Sequence, residues 1–145
     1  MSNYTIAVDP SPSIETESVL FAGLKAFNLI HAGPANRRDL SVLLRDDDGI
    51  VVGGLSGVVQ WNWLFVSLLY VSEELRGQGF GRALMKEAER EAVVMGCTHI
   101  YLDTFSFQAR GFYERLGYEV FGQLEDFPPG HTRYFLRKME LDEQL

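Results

Sequence analysis

The sequence predicts a mixed α/β (α+β) fold, in which an antiparallel meander is followed by one strand–helix–strand unit and a closing hairpin. Two observations carry this prediction. Apolar residues alternate or run continuously through the segments 40–44, 50–61 and 63–71, as they do in strands. After residue 76 the pattern changes to alternating helical and strand segments. At 145 residues the chain has the length of one domain, and we expect a single domain over 1–145.

The N-terminal part predicts one strand and one helix. Residues 4–8 alternate and predict a first strand, which an Asp-Pro-Ser-Pro run ends. Ser13 can cap a helix because its hydroxyl accepts a hydrogen bond from a free amide of the first turn. Leu20, Leu24 and Phe27 then recur at helical spacing, so they predict an apolar stripe on this helix. A Gly-Pro pair is expected to end it.

The meander follows. Residues 40–44 form a short β pattern, and three aspartates followed by a glycine at 46–49 predict a hairpin turn. The return strand covers 50–61, where three glycines weaken or bend it. The nearly continuous apolar run 63–71 is typical of a central strand that is covered on both faces.

The second half alternates between the two kinds of element. The spacing predicts helices over 79–95 and 108–116. Strands are predicted at 98–104, 119–124 and 133–139, and the prolines between the last two indicate a loop. Together with the meander, these segments predict a sheet of about six to seven strands.

Charge and composition exclude several function classes. The formal net charge is -7 and the pI is about 4.9, which argues against a nucleic-acid partner. An acidic surface suits a cationic small-molecule partner, or it only keeps the protein soluble. Cys97 is the single cysteine, so no internal disulfide can form. No signal peptide or bilayer-length apolar run is visible, so we expect a cytoplasmic protein without a membrane partner. The histidines lack ligand spacing, which predicts no metal.

A glycine-rich turn at 76–82 joins the apolar strand to the next helix. Helix N-termini carry free N–H groups and a partial positive charge, and glycines let a ligand approach the backbone, so the turn predicts a diphosphate cradle. Gly81 is followed by Arg-Ala, whereas a nucleoside-triphosphate P-loop needs Gly-Lys-Ser/Thr, so the turn fits a P-loop poorly. The glycine spacing also fits a dinucleotide site poorly, although Asp103 lies where a ribose-binding acid belongs. A nucleotide-dependent oxidoreductase therefore remains an alternative.

Two segments resemble one family. Residues 76–81, Arg-Gly-Gln-Gly-Phe-Gly, resemble the Arg/Gln-x-x-Gly-x-Gly/Ala signature of the GNAT acetyltransferases. Residues 108–118 resemble the second motif of that family, and both motifs flank one strand in the family order. The resemblance implies the GNAT fold, a central mixed and mostly antiparallel sheet with helices on both faces. It also implies N-acetyl transfer from acetyl-CoA to a primary amine of a small molecule or peptide by direct attack.

The resemblance also implies a binding site for the acetyl donor. Backbone amides of the glycine-rich turn would hold the CoA diphosphate, and the end of the preceding strand would contact the pantetheine arm and the acetyl carbonyl. Gln108 stands where the family has asparagine, which changes its contact with the pantetheine arm. The implied set is Leu69, Tyr70, Val71, Arg76, Gly77, Gln78, Gly79, Phe80, Gly81, Arg82 and Gln108.

The resemblance implies that Tyr113, at the tyrosine of the second motif, protonates the departing CoA thiolate. Core packing is the alternative, because Tyr113 also belongs to an apolar helical stripe. The base stays open, since the glutamate that many family members carry on the strand at 63–71 is missing. Glu73, Glu74, Asp103, a relayed water or an already neutral amine are the alternatives.

We expect the first helix, the meander and the last loop to form the acceptor pocket. Its candidate lining residues are Trp61, Trp63, Phe105, Phe107, Asp126 and His131. The sequence leaves the acceptor and the oligomeric state open, and a homodimer is one alternative. A second reading of the chain is a non-catalytic acyl-CoA-binding or regulatory module that keeps the fold without the chemistry.

Overall fold

The computed structural model describes residues 3–141, which divide into a unit up to residue 35 and a unit from residue 36. The first unit contains helix α1, Ile14–Ala32, which Ser13 caps through a hydrogen bond from the Thr16 amide at 3.1 Å. The predicted strand at 4–8 is wrong, because these residues have no regular secondary structure. An alternating pattern becomes a strand only where a neighbouring strand takes up its backbone groups.

The second unit contains a six-stranded mixed sheet in the order β1-β2-β3-β4-β6-β5. Its β3–β4 pair is parallel, and the other neighbours are antiparallel. This confirms the predicted mixed α/β fold class with its meander, crossover and closing hairpin. The strands are β1 Arg38–Arg45, β2 Val51–Gln60, β3 Trp63–Val71, β4 His99–Phe105, β5 Glu119–Glu125 and β6 Thr132–Lys138.

Two helices belong to this unit. Helix α2, Phe80–Val94, follows β3 after a short 3₁₀ turn at Glu73–Leu75. Helix α3, Arg110–Arg115, has only six residues and lies between β4 and β5. Both helices begin and end within two residues of the predicted bounds.

The core lies between these helices and one face of the sheet. Met85 and Ala88 of α2 are fully buried against Ile100 and Leu136 of the sheet, and Tyr113 of α3 belongs to the same cluster. Helices α2 and α3 therefore cover the same face. This arrangement places the start of α2 after the end of β3 and the start of α3 after the end of β4.

Candidate active site

The central feature of the site is a separation of two parallel strands. β3 and β4 pair over four positions only, from Trp63 beside His99 to Val66 beside Leu102. Beyond this last pair, β3 continues to its end at residue 71 and β4 to residue 105 without any pairing between them. The facing backbone edges of two diverging strands leave a slot that suits an extended, amide-bearing chain.

A β-bulge sits where the strands separate. Ser56 of β2 pairs with Leu68, whereas the next residue, Gly57, pairs with Val66. Ser67 is thus the extra residue of the bulge, and its hydroxyl donates to the Ser56 carbonyl at 3.0 Å. Because bulges bend a strand and increase its twist, this one directs the second half of β3 away from β4.

The predicted contacts at the end of β3 lie along this slot. Leu69 and Val71 are half-buried, Tyr70 is exposed, and all three pair with β2 on their other side. Arg76 donates through Nε to the Val71 carbonyl at 2.9 Å. The carbonyl of Val71 is therefore already engaged, while Arg76 fastens the glycine-rich turn to the end of the strand.

The glycine-rich turn presents its backbone amides to solvent. Gly77 and Gly79 have φ angles of 75° and 88°, and no side chain fills the space that a Cβ would take at either position. Within residues 3–141, the backbone N–H groups of residues 77–82 donate no hydrogen bond. Gln78 folds back instead, through a side-chain hydrogen bond to the Glu74 carbonyl at 3.2 Å. Unused donors at the positive end of a 15-residue helix have the chemistry that an anionic group such as a diphosphate requires.

Tyr113 lies on α3 with only 7% of its surface exposed. Burial raises the pKa of Tyr113 to about 12, and the negative charge of Asp103 adds to the effect. Burial and charge are the causes of this shift, and no hydrogen bond to the hydroxyl is among them. The phenol therefore stays protonated at physiological pH and has a donor to offer.

The Gln108 side chain forms hydrogen bonds between the end of β4 and the start of α3. Its Oε1 accepts from the Phe105 amide at 2.8 Å and from the Thr104 hydroxyl at 3.3 Å. The Thr104 hydroxyl in turn accepts from the Ala109 amide, so this group joins the end of β4 to the start of α3. The carbonyl end of Gln108 is thus occupied, and its NH₂ group is the part that can reach a ligand.

A close contact joins the diphosphate cradle to the helix that carries the tyrosine. A Cβ at Gly81 would lie 3.3 Å from the Phe112 ring, which stands beside Tyr113 with ring centroids 5.1 Å apart. Phe112, the neighbour of Tyr113 on α3, therefore lies beside the first turn of α2.

The three candidate bases, Asp103, Glu73 and Glu74, have different surroundings. Both carboxylate oxygens of Asp103 accept from the Arg133 guanidinium at 3.0 Å. Such a two-point ion pair leaves Asp103 engaged in structure, and Arg133 also lies 4.9 Å from the centre of the Phe127 ring. Glu73 and Glu74 are exposed on the 3₁₀ turn.

The residues expected to line one acceptor pocket fall into two groups. Trp61 and Trp63 line a depression of about 410 Å³ at the start of β3, together with Val58, Gln60, Phe65 and Tyr101. Phe105, Phe107 and His131 instead contact one another at the far end of β4, and Asp126 lies in the adjoining loop. Six residues of extended strand separate the two ends by roughly 20 Å. A single pocket lined by both groups is therefore a wrong expectation.

Sequence reasoning missed a buried ion pair. Glu89 of α2 is fully buried and accepts from Lys138 of β6 at 3.0 Å. The partners are far apart in sequence, so no local pattern could have revealed them. Within residues 3–141 no helix could cross a membrane and no group of three or more His, Cys, Asp or Glu could hold a metal ion.

The sequence is similar to those of known proteins. A family model described as the acetyltransferase (GNAT) family matches residues 4–118. An acetyltransferase of Agrobacterium fabrum is 40% identical over 124 residues, which cover 86% of this chain and 90% of the relative. Blasticidin-S acetyltransferase of Streptomyces morookaense is 45% identical over 91 residues, or 62% of this chain and 67% of the relative.

The fold also matches a solved structure. A crystal structure of an acetyltransferase from Bacillus cereus superposes with a TM-score of 0.83 at 29% identity, covering 91% of this chain and 96% of the other. The two chains therefore share one fold over most of their length.

Proposed function

The chain belongs to the acetyltransferase (GNAT) family, and from that premise we propose that it moves the acetyl group of acetyl-CoA to a primary amine of a small molecule. The observation that carries the proposal is the slot between β3 and β4, which opens beside the unused amides of residues 77–82. A diphosphate on the cradle would direct the attached pantetheine arm along the slot, where strand edges can bind its amides.

The donor fits the residues that surround this opening. The diphosphate would accept hydrogen bonds from the cradle amides and benefit from the positive end of α2. Arg82 is exposed on the first turn of α2 and adds a cation there. Leu69, Tyr70 and Gln108 would border the pantetheine arm, the first two through the free edge of β3.

We propose direct attack of the amine nitrogen on the thioester carbonyl carbon. The C–N bond forms as negative charge develops on the carbonyl oxygen, which a backbone N–H on the free edge of β3 stabilises. The C–S bond then breaks and the sulfur leaves as a thiolate. The proton lost by the amine passes to water or to the exposed carboxylates of Glu73 and Glu74, because Asp103 is already bound by Arg133.

The raised pKa of Tyr113 determines how its hydroxyl can assist the departing sulfur. An alkyl thiol has a pKa of about 8.5, so complete proton transfer from a phenol of pKa about 12 to the thiolate is unfavourable. Tyr113 would instead donate a hydrogen bond to the sulfur as its charge develops. This refines the sequence-based expectation of a full proton donor.

A small cationic amine is the acceptor class that we favour. The protein carries a net charge of -7, and a positively charged acceptor is attracted to it. Blasticidin-S acetyltransferase, one of the relatives, is named for a small-molecule substrate. The amino group of a peptide is the second acceptor class to include in a screen.

The proposal is tested by measuring free thiol released from acetyl-CoA in the presence of a panel of small amines and short peptides. Thiol release that requires an amine, with acetylated amine as product, is the expected result. A melting temperature that rises with CoA, without turnover on the whole panel, would favour the non-catalytic module instead. The missing glutamate on β3 is the observation behind that second candidate. Stabilisation by NAD and not by CoA would favour the oxidoreductase.

The remaining expectations are proposals of the same kind. We propose that residues 1–145 act as one N-acetyltransferase domain in the cytoplasm, without a metal, nucleic-acid or membrane partner. A homodimer is the oligomeric state to test first, by light scattering at several protein concentrations.

A further inference from the structure

Helix α3 is too short to fix its own position. It has six residues, from Arg110 to Arg115, and helices of this length depend on contacts with the rest of the protein. The position of the Tyr113 hydroxyl is therefore set by whatever holds α3 at its two ends.

The front of α3 rests against the cradle. The Phe112 ring lies so near Gly81 that a Cβ there would approach it to 3.3 Å, so the front of α3 lies directly beside the first turn of α2. This proximity limits the movement of α3 toward α2, but it leaves the ring free to rotate and slide.

The rear of α3 is held by a cation. Nζ of Lys138 donates to both carboxylate oxygens of Glu89, at 3.0 and 3.3 Å, and to the Leu116 carbonyl at 3.1 Å. Leu116 is the residue that ends α3. All three protons of one ammonium group thus join α2, β6 and α3 at a single point.

This point is directly connected to the backbone of Tyr113. The Tyr113 carbonyl accepts from the Leu116 amide at 3.0 Å and from the Tyr118 amide at 3.1 Å. The ring of Tyr118 lies 5.6 Å from Lys138 Nζ and stands edge-on to the ring of Tyr113. A shift of Lys138 would therefore move the turn that carries Tyr113.

The burial of this ion pair indicates a positional role. Glu89 is fully buried, and 18% of the Lys138 side chain is exposed. Buried ion pairs add little net stability, because the desolvation of both charges offsets their attraction. Their hydrogen-bond geometry, however, admits few alternative arrangements.

We propose that Lys138, held by Glu89, is a positioning residue that fixes the Tyr113 hydroxyl relative to the diphosphate cradle. The inference rests on the proposed function, in which Tyr113 donates to the departing sulfur. Glu89 and Gly81 are eight residues apart on α2, so one helix carries both attachment points of α3.

The test is a double-mutant cycle. The paired variant Glu89→Gln/Lys138→Met removes the tie without leaving a buried charge, and it is measured both in the wild-type protein and together with Tyr113→Phe. We expect kcat to fall roughly tenfold or more in the wild-type background, because a small misplacement of a reacting group costs rate. The Kd of CoA should change less than about twofold, and in the Tyr113→Phe background kcat should also change less than about twofold.

Arg137→Met/Glu119→Gln is the matched control, since it removes an exposed ion pair of the neighbouring β6 residue. We expect wild-type kcat for this control.

A fall in kcat that is equal in both Tyr113 backgrounds, or no fall at all, would overturn the positioning role alone. If Tyr113→Phe by itself leaves kcat unchanged, the proposed role of the tyrosine fails first, and the positioning inference fails with it. Variants that melt below the assay temperature are replaced by Lys138→Arg. This variant keeps the charge, but its larger planar guanidinium changes the geometry of the three hydrogen bonds. The same double-mutant cycle then decides the outcome.

Discussion

Val66 and Leu102 form the last pair between β3 and β4, and the strands separate directly after them. The side chains of both residues are buried in the core, so the pair is firmly held while the strands beyond it diverge. Ser67, the bulge residue, follows Val66 at once. The opening of the site is thus fixed by the core on one side and by the bulge on the other.

Gly79→Ala should weaken binding of the acetyl donor. Gly79 has φ 88° and ψ 4° at the cap of α2, and a non-glycine residue in the left-handed region costs about 1–2 kcal/mol. The turn would relax and move its amides, so we expect KM for acetyl-CoA to rise roughly tenfold. Gly96→Ala is the control, because Gly96 has the same φ of 88° and open space around it at the other end of α2. Equal KM values for the two variants would contradict the cradle.

Tyr113→Phe should lower turnover without weakening donor binding. Only the developing thiolate uses the hydroxyl, so we expect kcat to fall roughly a hundredfold while the Kd of CoA stays within about twofold. The raised pKa adds a second readout. A tyrosine with an ordinary pKa would lose its proton and its function near pH 10, whereas Tyr113 should keep both until the pH approaches 12. A loss of wild-type kcat centred on pH 10 and absent from the variant would contradict this.

The local parts of the fold could be predicted from sequence, because each depended on a local pattern. The glycines before α2, the apolar run of β3 and the spacing on α3 all lie within a few residues. Features that depend on distant partners could not be predicted. The bulge at Ser67 depends on the register with β2, and the burial of Glu89 depends on Lys138. The wrong strand at 4–8 has the same cause, since its pattern has no neighbour to pair with.

The candidate site shows the same difference between features that depend on neighbouring residues and features that depend on distant ones. The cradle residues are consecutive, so their grouping needed no tertiary information. The acceptor residues were grouped by aromatic character alone, and the structure separates Trp63 and Phe105 at opposite ends of the paired strands. Residue type indicates that a side chain can bind a ligand, but the direction of the strand decides which side chains bind it together.

Asp103→Asn should reduce stability and leave turnover almost unchanged. The carboxylate forms a two-point ion pair with Arg133, and both side chains are largely buried, at 15% and 27% exposed. We expect the free energy of unfolding to fall by about 1–2 kcal/mol and kcat to change less than about threefold. The loss of the negative charge should also lower the pKa of Tyr113, which a spectroscopic titration of tyrosine absorbance can follow.

Arg133→Gln is the companion to this variant, because it breaks the same ion pair from the other side. A similar loss of stability in both variants supports a structural carboxylate. A base would give another result, with kcat in Asp103→Asn reduced by about 10² or more while Arg133→Gln stays active.

Tyr118→Phe should stabilise the protein. The hydroxyl of Tyr118 is buried, and it has no hydrogen-bond partner among the residues that the structure describes. Because an unsatisfied buried hydroxyl is costly, its removal should raise the free energy of unfolding by about 1 kcal/mol at pH 7. Urea denaturation measures the change, and a less stable variant would show that the hydroxyl has a partner in solution.

Alkaline pH gives a second test of the same residue. Burial, together with the charge of Glu89, raises the pKa of Tyr118 above that of an unfolded tyrosine. The folded protein therefore keeps this proton above about pH 10, where the unfolded chain releases it, so the stability is fully present below pH 10 and falls as the pH rises further. Each such tyrosine contributes a slope of about 1.4 kcal/mol per pH unit. Above pH 10, the free energy of unfolding of Tyr118→Phe should therefore fall less steeply with pH than that of the wild-type protein. Identical slopes in the two proteins would show that the Tyr118 hydroxyl is exposed to water.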